Sequence, residues 1–147
     1  MNHKYNQWLN KNITHDDTSE RNEIVYHLRK KSEYADSIIA NNEYIQIDMT
    51  DGKIYGSYKT MPTKKPNCRT YRPDISIWNS NNELLYVVEI DGNAHKKGGE
   101  SNRTTRRNQD YADSDITCLI IDRDDCDKAW KISYTERLEQ LLLEFGK

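Results

Sequence analysis

A chain of 147 residues with 35% hydrophobic and 31% charged side chains is sized for one domain, residues 1–147, and excludes a fibrous or membrane-embedded protein. No apolar run is long enough to cross a bilayer and the first residues, Met1 to Tyr5, are polar, so a soluble, cytoplasmic chain without a signal peptide is expected. A net charge of -2 argues against a uniformly basic nucleic-acid binder, and three cysteines without zinc spacing read as reduced thiols.

Residues 1–13 hold Trp8 and Leu9 among Asn and Lys, as a short helix or an arm. Asp17 and Glu20 have the spacing of a capping box, and Ile24, Val25 and Leu28 give the helix that follows a core face. Residues 32–42 read as a second short helix with Tyr34, Ile38 and Ile39 on one side. Residues 44–49 alternate as a half-buried strand, Asp51-Gly52 turns the chain, and residues 54–59 return. Tyr55 and Tyr58 on that return are packing residues or base-stacking ones. Residues 61–68, with two prolines and two lysines, read as a loop.

Residues 74–78 form a strand opened by Arg72-Pro73, the run of four polar residues at 79–82 is a turn, and residues 84–90 form a nearly all-apolar strand buried on both faces. A loop with His95, Lys96 and Lys97 follows. A polar helix then runs from Ser101 or Thr104 to about residue 113, where Arg106 and Asp110 have the spacing of an intrahelical pair. Residues 117–122 read as a buried strand, parallel to its neighbour after the helical crossover. In a last helix over residues 132–145, Leu138, Leu141, Leu142 and Phe145 share one face, for core packing or for an oligomer contact. The expected fold is α/β, a mixed β-sheet flanked by helices.

The chemistry concentrates at residues 74–91. Asp74 and Glu89 fall on neighbouring strands of one hairpin, and Asp91 lies two residues beyond Glu89 on the same face. A carboxylate ending an apolar strand is costly to bury unless something pairs with it. Three converging carboxylates repel one another, and a hard divalent cation such as Mg2+ (or Mn2+) is their simplest neutraliser. Two basic segments flank them. Lys59, Lys64, Lys65, Arg69 and Arg72 occur with no acid between them, and Lys96, Lys97, Arg103, Arg106 and Arg107 are accompanied only by Glu100. Cations at the sides and acids in the middle suit a DNA-cutting surface, with phosphate attraction around a metal site. The plainer reading is a pair of solvated loops.

Pro73-Asp74 at a strand start, a hairpin turn, and then Glu89-Ile90-Asp91 resemble the signature of the PD-(D/E)xK nuclease superfamily. Val88-Glu89-Ile90-Asp91-Gly92-Asn93-Ala94-His95, followed by Arg107-Asn108-Gln109-Asp110, is similar to its very-short-patch-repair-like branch, over roughly residues 69–122. The resemblance implies a restriction-endonuclease-like fold in which Asp74 bridges the metal, Glu89 is a second ligand and the carbonyl of Ile90 a third. Where the superfamily usually has Lys, this chain has Asp91, which would bind a second ion or hold the turn. Asp91 or His95 would then be the activating group, with Lys96, Lys97, Arg106 and Arg107 candidates to stabilise phosphorane charge. Superfamily enzymes often open with a helix whose Glu faces the metal. Glu20 and Glu23 are the candidates here, beside the plainer roles of cap and solvated face.

The expected activity is a Mg2+-dependent DNA endonuclease of homing, restriction or repair type. The Asn-, Lys-, Tyr- and Ile-rich composition leans toward homing, and a double-strand cut would need at least two subunits, a homo-oligomer. Two alternatives stand beside it. One is a nuclease fold that binds DNA without cutting. The other is a scaffold in which Asp74, Glu89 and Asp91 pair with Arg72, Arg106 or Arg107 and no metal.

Overall fold

The computed structural model describes residues 19–91, 98–126 and 132–146, and the side chains of residues 98–101 and 124 are not among those described. The Trp8 segment, the Asp17 cap, and His95, Lys96 and Lys97 lie outside the described residues. The first helix, α1 (Ser19–Arg29), buries Ile24, Val25 and Leu28 on one stripe, with Glu20 in its first turn and Arg29 in its last, each at the favourable end of the helix dipole.

Seven strands follow in two sheets: β1 (Ile38–Asn41), β2 (Tyr44–Asp48), β3 (Ile54–Tyr58), β4 (Cys68–Tyr71), β5 (Ile75–Trp78), β6 (Leu84–Asp91) and β7 (Cys118–Asp122). Two helices complete the described chain, α2 (Gly98–Asp113) between β6 and β7, and α3 (Tyr134–Glu144) after β7. The first sheet runs β1-β5-β6-β7, and the second runs β3-β2-β4. In the first, β6 pairs antiparallel with β5 and parallel with β7, as the crossover through α2 requires.

The architecture is therefore mixed α/β with two sheets, where the sequence suggested one. The expected helix over residues 32–42 is a single 3-10 turn, Ser32–Tyr34, followed by β1. Two adjacent β-branched residues decide against the helix. Ile39 is buried and Ile38 is 50% exposed, the alternation of a strand closing the edge of β5. β4 was hidden in the loop and the basic run after it, because its Cys-Arg-Thr-Tyr carries no apolar signal and is held by pairing to β2. α2 starts at Gly98, before either expected cap.

The core has two parts, one on each face of the first sheet. Ile75, Ile77, Tyr86, Val88, Ile90, Leu119 and Ile121 pack with α1 and with Leu138, Leu141 and Leu142 of α3. On the other face Trp78 and Val87 meet Ile45 and Ile47 of the second sheet and Tyr111 of α2. The stripe Leu138–Leu141–Leu142 is thus core, and only Leu143 and Phe145 at the end of α3 point outward. Among the described residues no helix is long and apolar enough to cross a membrane. Leu138→Ala is expected to lower unfolding free energy by about 2–5 kcal/mol in urea titrations. Leu143→Ala, at an 82% exposed position, should stay within about 0.5 kcal/mol of the parent.

Candidate active site

The acids converge because the β5–β6 hairpin ends where they begin. Ile75 pairs with Val88, so Asp74 and Glu89 face each other at the first step past the ladder. Each satisfies a backbone donor that the ladder leaves over. Asp74 Oδ2 accepts from the Ile90 N–H at 2.7 Å, and Glu89 Oε1 accepts from the Asp74 N–H at 3.3 Å. The Asp74 carbonyl accepts from Asn42 at 2.8 Å, tying the exit of β1 to the same point. Asp91 follows two residues after Glu89 on the same face, and parallel pairing with β7 holds both in place.

Two arginines answer these carboxylates. Arg107 of α2 sets Nη2 3.2 Å from Asp91 Oδ2 and Nε 3.7 Å from Glu89 Oε2. One turn further along α2, the Tyr111 hydroxyl donates to Glu89 Oε2 at 2.9 Å. From α1, Arg21 brings Nη1 to 3.9 Å from Asp74 Oδ1 while its Nε donates to Asn41. Burial pushes the Glu89 carboxyl from 4.5 up to about 8, against the pull of Arg107 and with a further push from Asp74. Burial also raises Asp74, opposed by its bond to Ile90 and by Arg21 and Arg123. Burial works against the Arg107 charge, but Glu89 and Asp91 outweigh it and hold the guanidinium protonated. Asp91 Oδ1 is buried without a hydrogen-bond partner among the described residues.

Arg107 is also a wall of a cleft of about 950 Å3. Lys64 and Arg69 line it from the β3–β4 connection and β4, and Arg103, Arg106 and Arg107 line it from α2. Basic segments some forty residues apart in the chain therefore face each other. Arg69 is fixed there by a buried acid: its Nη1 lies 2.6 and 2.9 Å from the two oxygens of Asp110, which also accepts from the Tyr71 hydroxyl. Those two donors hold Asp110 low despite its burial, while burial and Asp110 together push Tyr71 up to about 12.

The structure thus brings Asp74, Glu89 and Asp91 together and sets Lys64, Arg69, Arg103, Arg106 and Arg107 beside them. Lys65 and Arg72 lie elsewhere, over the rings of Tyr55 and Tyr44 on the second sheet. The expected Arg106–Asp110 pair gives way to Arg69, because Asp110 faces inward and Arg106 lines the cleft. On α1, Glu20 pairs with Arg123 at 3.4 Å, and Glu23, half-buried, is raised by its burial and by Glu20. The α1 side chain that approaches Asp74 is Arg21, where the resemblance expects an acid. Neither Arg21 nor Tyr111 was singled out from sequence. Tyr111 is the single large apolar residue between Gly98 and Asp113, which marks the inward face of α2 and places Arg107, four residues earlier, on it.

No protein family, curated protein or solved structure matches the chain. Among the described residues no three His, Cys, Asp or Glu side chains form a ready metal cage. The donor chemistry nevertheless suits a hard cation: all three groups offer carboxylate oxygens, and one buried oxygen of Asp91 is unclaimed among the described residues. Arg107 holds the place between Glu89 and Asp91.

A folded-state value of Glu89 above its unfolded one means that folding takes up a proton. The contribution of Glu89 to stability in EDTA is therefore fully present below its unfolded value, about 4.5, and is lost as pH rises through about 8. Glu89→Gln should flatten most of that slope, with Asp74 contributing the remainder. Thermal melts across this range check it, and an unchanged slope in Glu89→Gln would put the titrating group elsewhere.

Proposed function

We propose that the chain is a Mg2+- or Mn2+-dependent DNA endonuclease of the PD-(D/E)xK kind, with a restriction-endonuclease-like core built on β5, β6, α2 and β7. The observation that carries this reading is the convergence of Asp74, Glu89 and Asp91 at one hairpin end, directly behind a wall of a cationic cleft. Support for the finer fold reading comes from the antiparallel β5–β6 pair bearing the acids and from β7 returning parallel through α2.

In this reading Lys64, Arg69, Arg103 and Arg106 bind backbone phosphates in the cleft and set the strand's register. Asp74, Glu89, Asp91 and the carbonyl of Ile90 would hold the divalent ion. When bound, that ion supplies Lewis-acid polarisation of the scissile phosphate and acidifies the attacking water. Water attacks phosphorus and gives up a proton, the bond to the 3′-oxygen breaks, and that oxygen takes a proton from solvent water as it leaves. Asp91 and His95 are the candidates to take the proton from water. Asp110 acts through Arg69 as a positioning residue, since it fixes the guanidinium at the cleft edge. Cutting both strands requires two such chains on one duplex.

One observation favours a second reading, a nuclease-like fold that binds DNA without cutting it: Arg107 already pairs with Asp91 and lies against Glu89. Cleavage assays on supercoiled and linear DNA with Mg2+, Mn2+ or EDTA separate the two. Asp74→Asn and Glu89→Gln retain oxygen acceptors for Ile90 and Tyr111 while removing charge, so they should fold normally by circular dichroism. Under the endonuclease reading each lowers cleavage on the order of 1000-fold, the scale of a lost metal contact. DNA bound equally well in EDTA, with no cutting under any metal, would establish the binding module. Arg103→Ala and Arg106→Ala should each weaken DNA binding and reduce its salt dependence by about one unit of log–log slope, read by fluorescence anisotropy.

A further inference from the structure

We propose that Arg107 is a displaceable counter-ion that keeps the acid cluster closed to divalent ions until a phosphate in the cleft draws its guanidinium away. The inference rests on the nuclease reading and adds to it a coupling between substrate and metal. Among the described residues Arg107 alone belongs to both places: it lines the cleft with Arg103 and Arg106, and it contacts Glu89 and Asp91. Arg103 stands four residues earlier on α2, so a phosphate attracted there arrives beside Arg107.

The hold of Arg107 on the acids is shared and loose. It makes no two-pronged fork onto either carboxylate: one nitrogen lies 3.2 Å from Asp91, and another lies 3.7 Å from Glu89. The same two nitrogens donate to the side-chain oxygen of Asn108 at 2.9 and 3.1 Å, which turns the guanidinium without filling the site. Asp91 Oδ1, buried and without a hydrogen-bond partner among the described residues, is an acceptor that the arginine leaves over. A guanidinium and a divalent cation repel, so they cannot share these oxygens. A phosphate, by contrast, offers the guanidinium the two-oxygen geometry it lacks here. Displacement of Arg107 into the cleft therefore links the two binding events, and linkage makes the effect reciprocal.

Mn2+ titration of the DNA-free protein, followed by the electron paramagnetic resonance of free Mn2+, tests the first half. Arg107→Met should bind Mn2+ about tenfold or more tightly than wild type, within the usual range of such couplings. Arg106→Met, which removes the same charge from the cleft but not from the acids, should change it little. Duplex affinity in EDTA tests the other half: Asp91→Asn should tighten DNA binding in wild type and do nothing in Arg107→Met, since the freed group is Arg107. Equal Mn2+ affinity in wild type and Arg107→Met overturns the gate and leaves the nuclease reading standing. An equal Asp91→Asn effect in both backgrounds also overturns it, showing general electrostatics at work. If neither protein takes up Mn2+, the metal-dependent reading falls and the gate with it. Should Arg107→Met be unfolded without metal, its melting temperature in Mn2+ against EDTA decides: a rise larger than that of wild type supports the gate, and an equal rise overturns it.

Discussion

Burying Glu89 is the constraint from which the site follows. β6 is apolar on both faces until Glu89, whose carboxylate is 4% exposed to solvent two residues before the strand ends. An ionised group there needs donors from outside its own strand, and among the described residues the Asp74 N–H is the backbone donor it receives. α2 supplies the rest, Tyr111 as hydrogen-bond donor and Arg107 as counter-charge. To bring both to one carboxylate, α2 must lie over the end of β6 with that stripe inward. Arg103 and Arg106 are then carried to the mouth of the cleft. The basic wall stands where it does because the acid behind it needs neutralising.

A second buried acid repeats the arrangement in the opposite direction. Asp110 sits on α2 and takes its arginine from β4, while Glu89 sits on β6 and takes its arginine from α2. α2 is thus tied by ion pairs to both sheets, one through a residue it donates and one through a residue it accepts. Buried ion pairs are poor sources of net stability, because desolvation offsets their attraction. Their geometric demands are strict, however, and here they fix the distance between the sheets across the cleft. Arg69 carries that constraint to the surface. Its partner is buried, its own side chain is 41% exposed, and its position at the cleft edge is set from beneath.

How much of this could be read from the chain depends on whether the signal was local. The alternation at β2, the Asp-Gly turn and the all-apolar β6 are local, and the strands formed as read. Period two alone put Glu89 and Asp91 on one face, and the hairpin brought Asp74 to meet them. β1 and β4 exist because neighbouring strands need edges covered, a tertiary demand that four-residue segments do not advertise. The basic segments were legible as composition, but composition does not say which way a side chain points. On β4 the alternation sends Arg69 and Tyr71 inward to Asp110. Lys65 and Arg72, outside that strand, settle on tyrosine rings instead.

The arginines that meet the acids do not by themselves make this a scaffold. A cluster selected only to hold elements together would do better with apolar side chains of similar volume, which avoid desolvating charge. If charges were retained, a two-pronged arginine–carboxylate pair would satisfy every oxygen. Among the described residues Asp74 is approached by Arg21, with Arg123 also acting on it, while Glu89 and Asp91 share Arg107. Arg107 divides its nitrogens among Asp91, Glu89 and Asn108, and a buried oxygen of Asp91 has no donor among the described residues. Burial drives Glu89 toward its neutral form, with a further push from Asp74, and that relieves the repulsion among the acids. A shared guanidinium beside an acceptor with no donor among the described residues is thus not the arrangement that packing of the elements alone would favour.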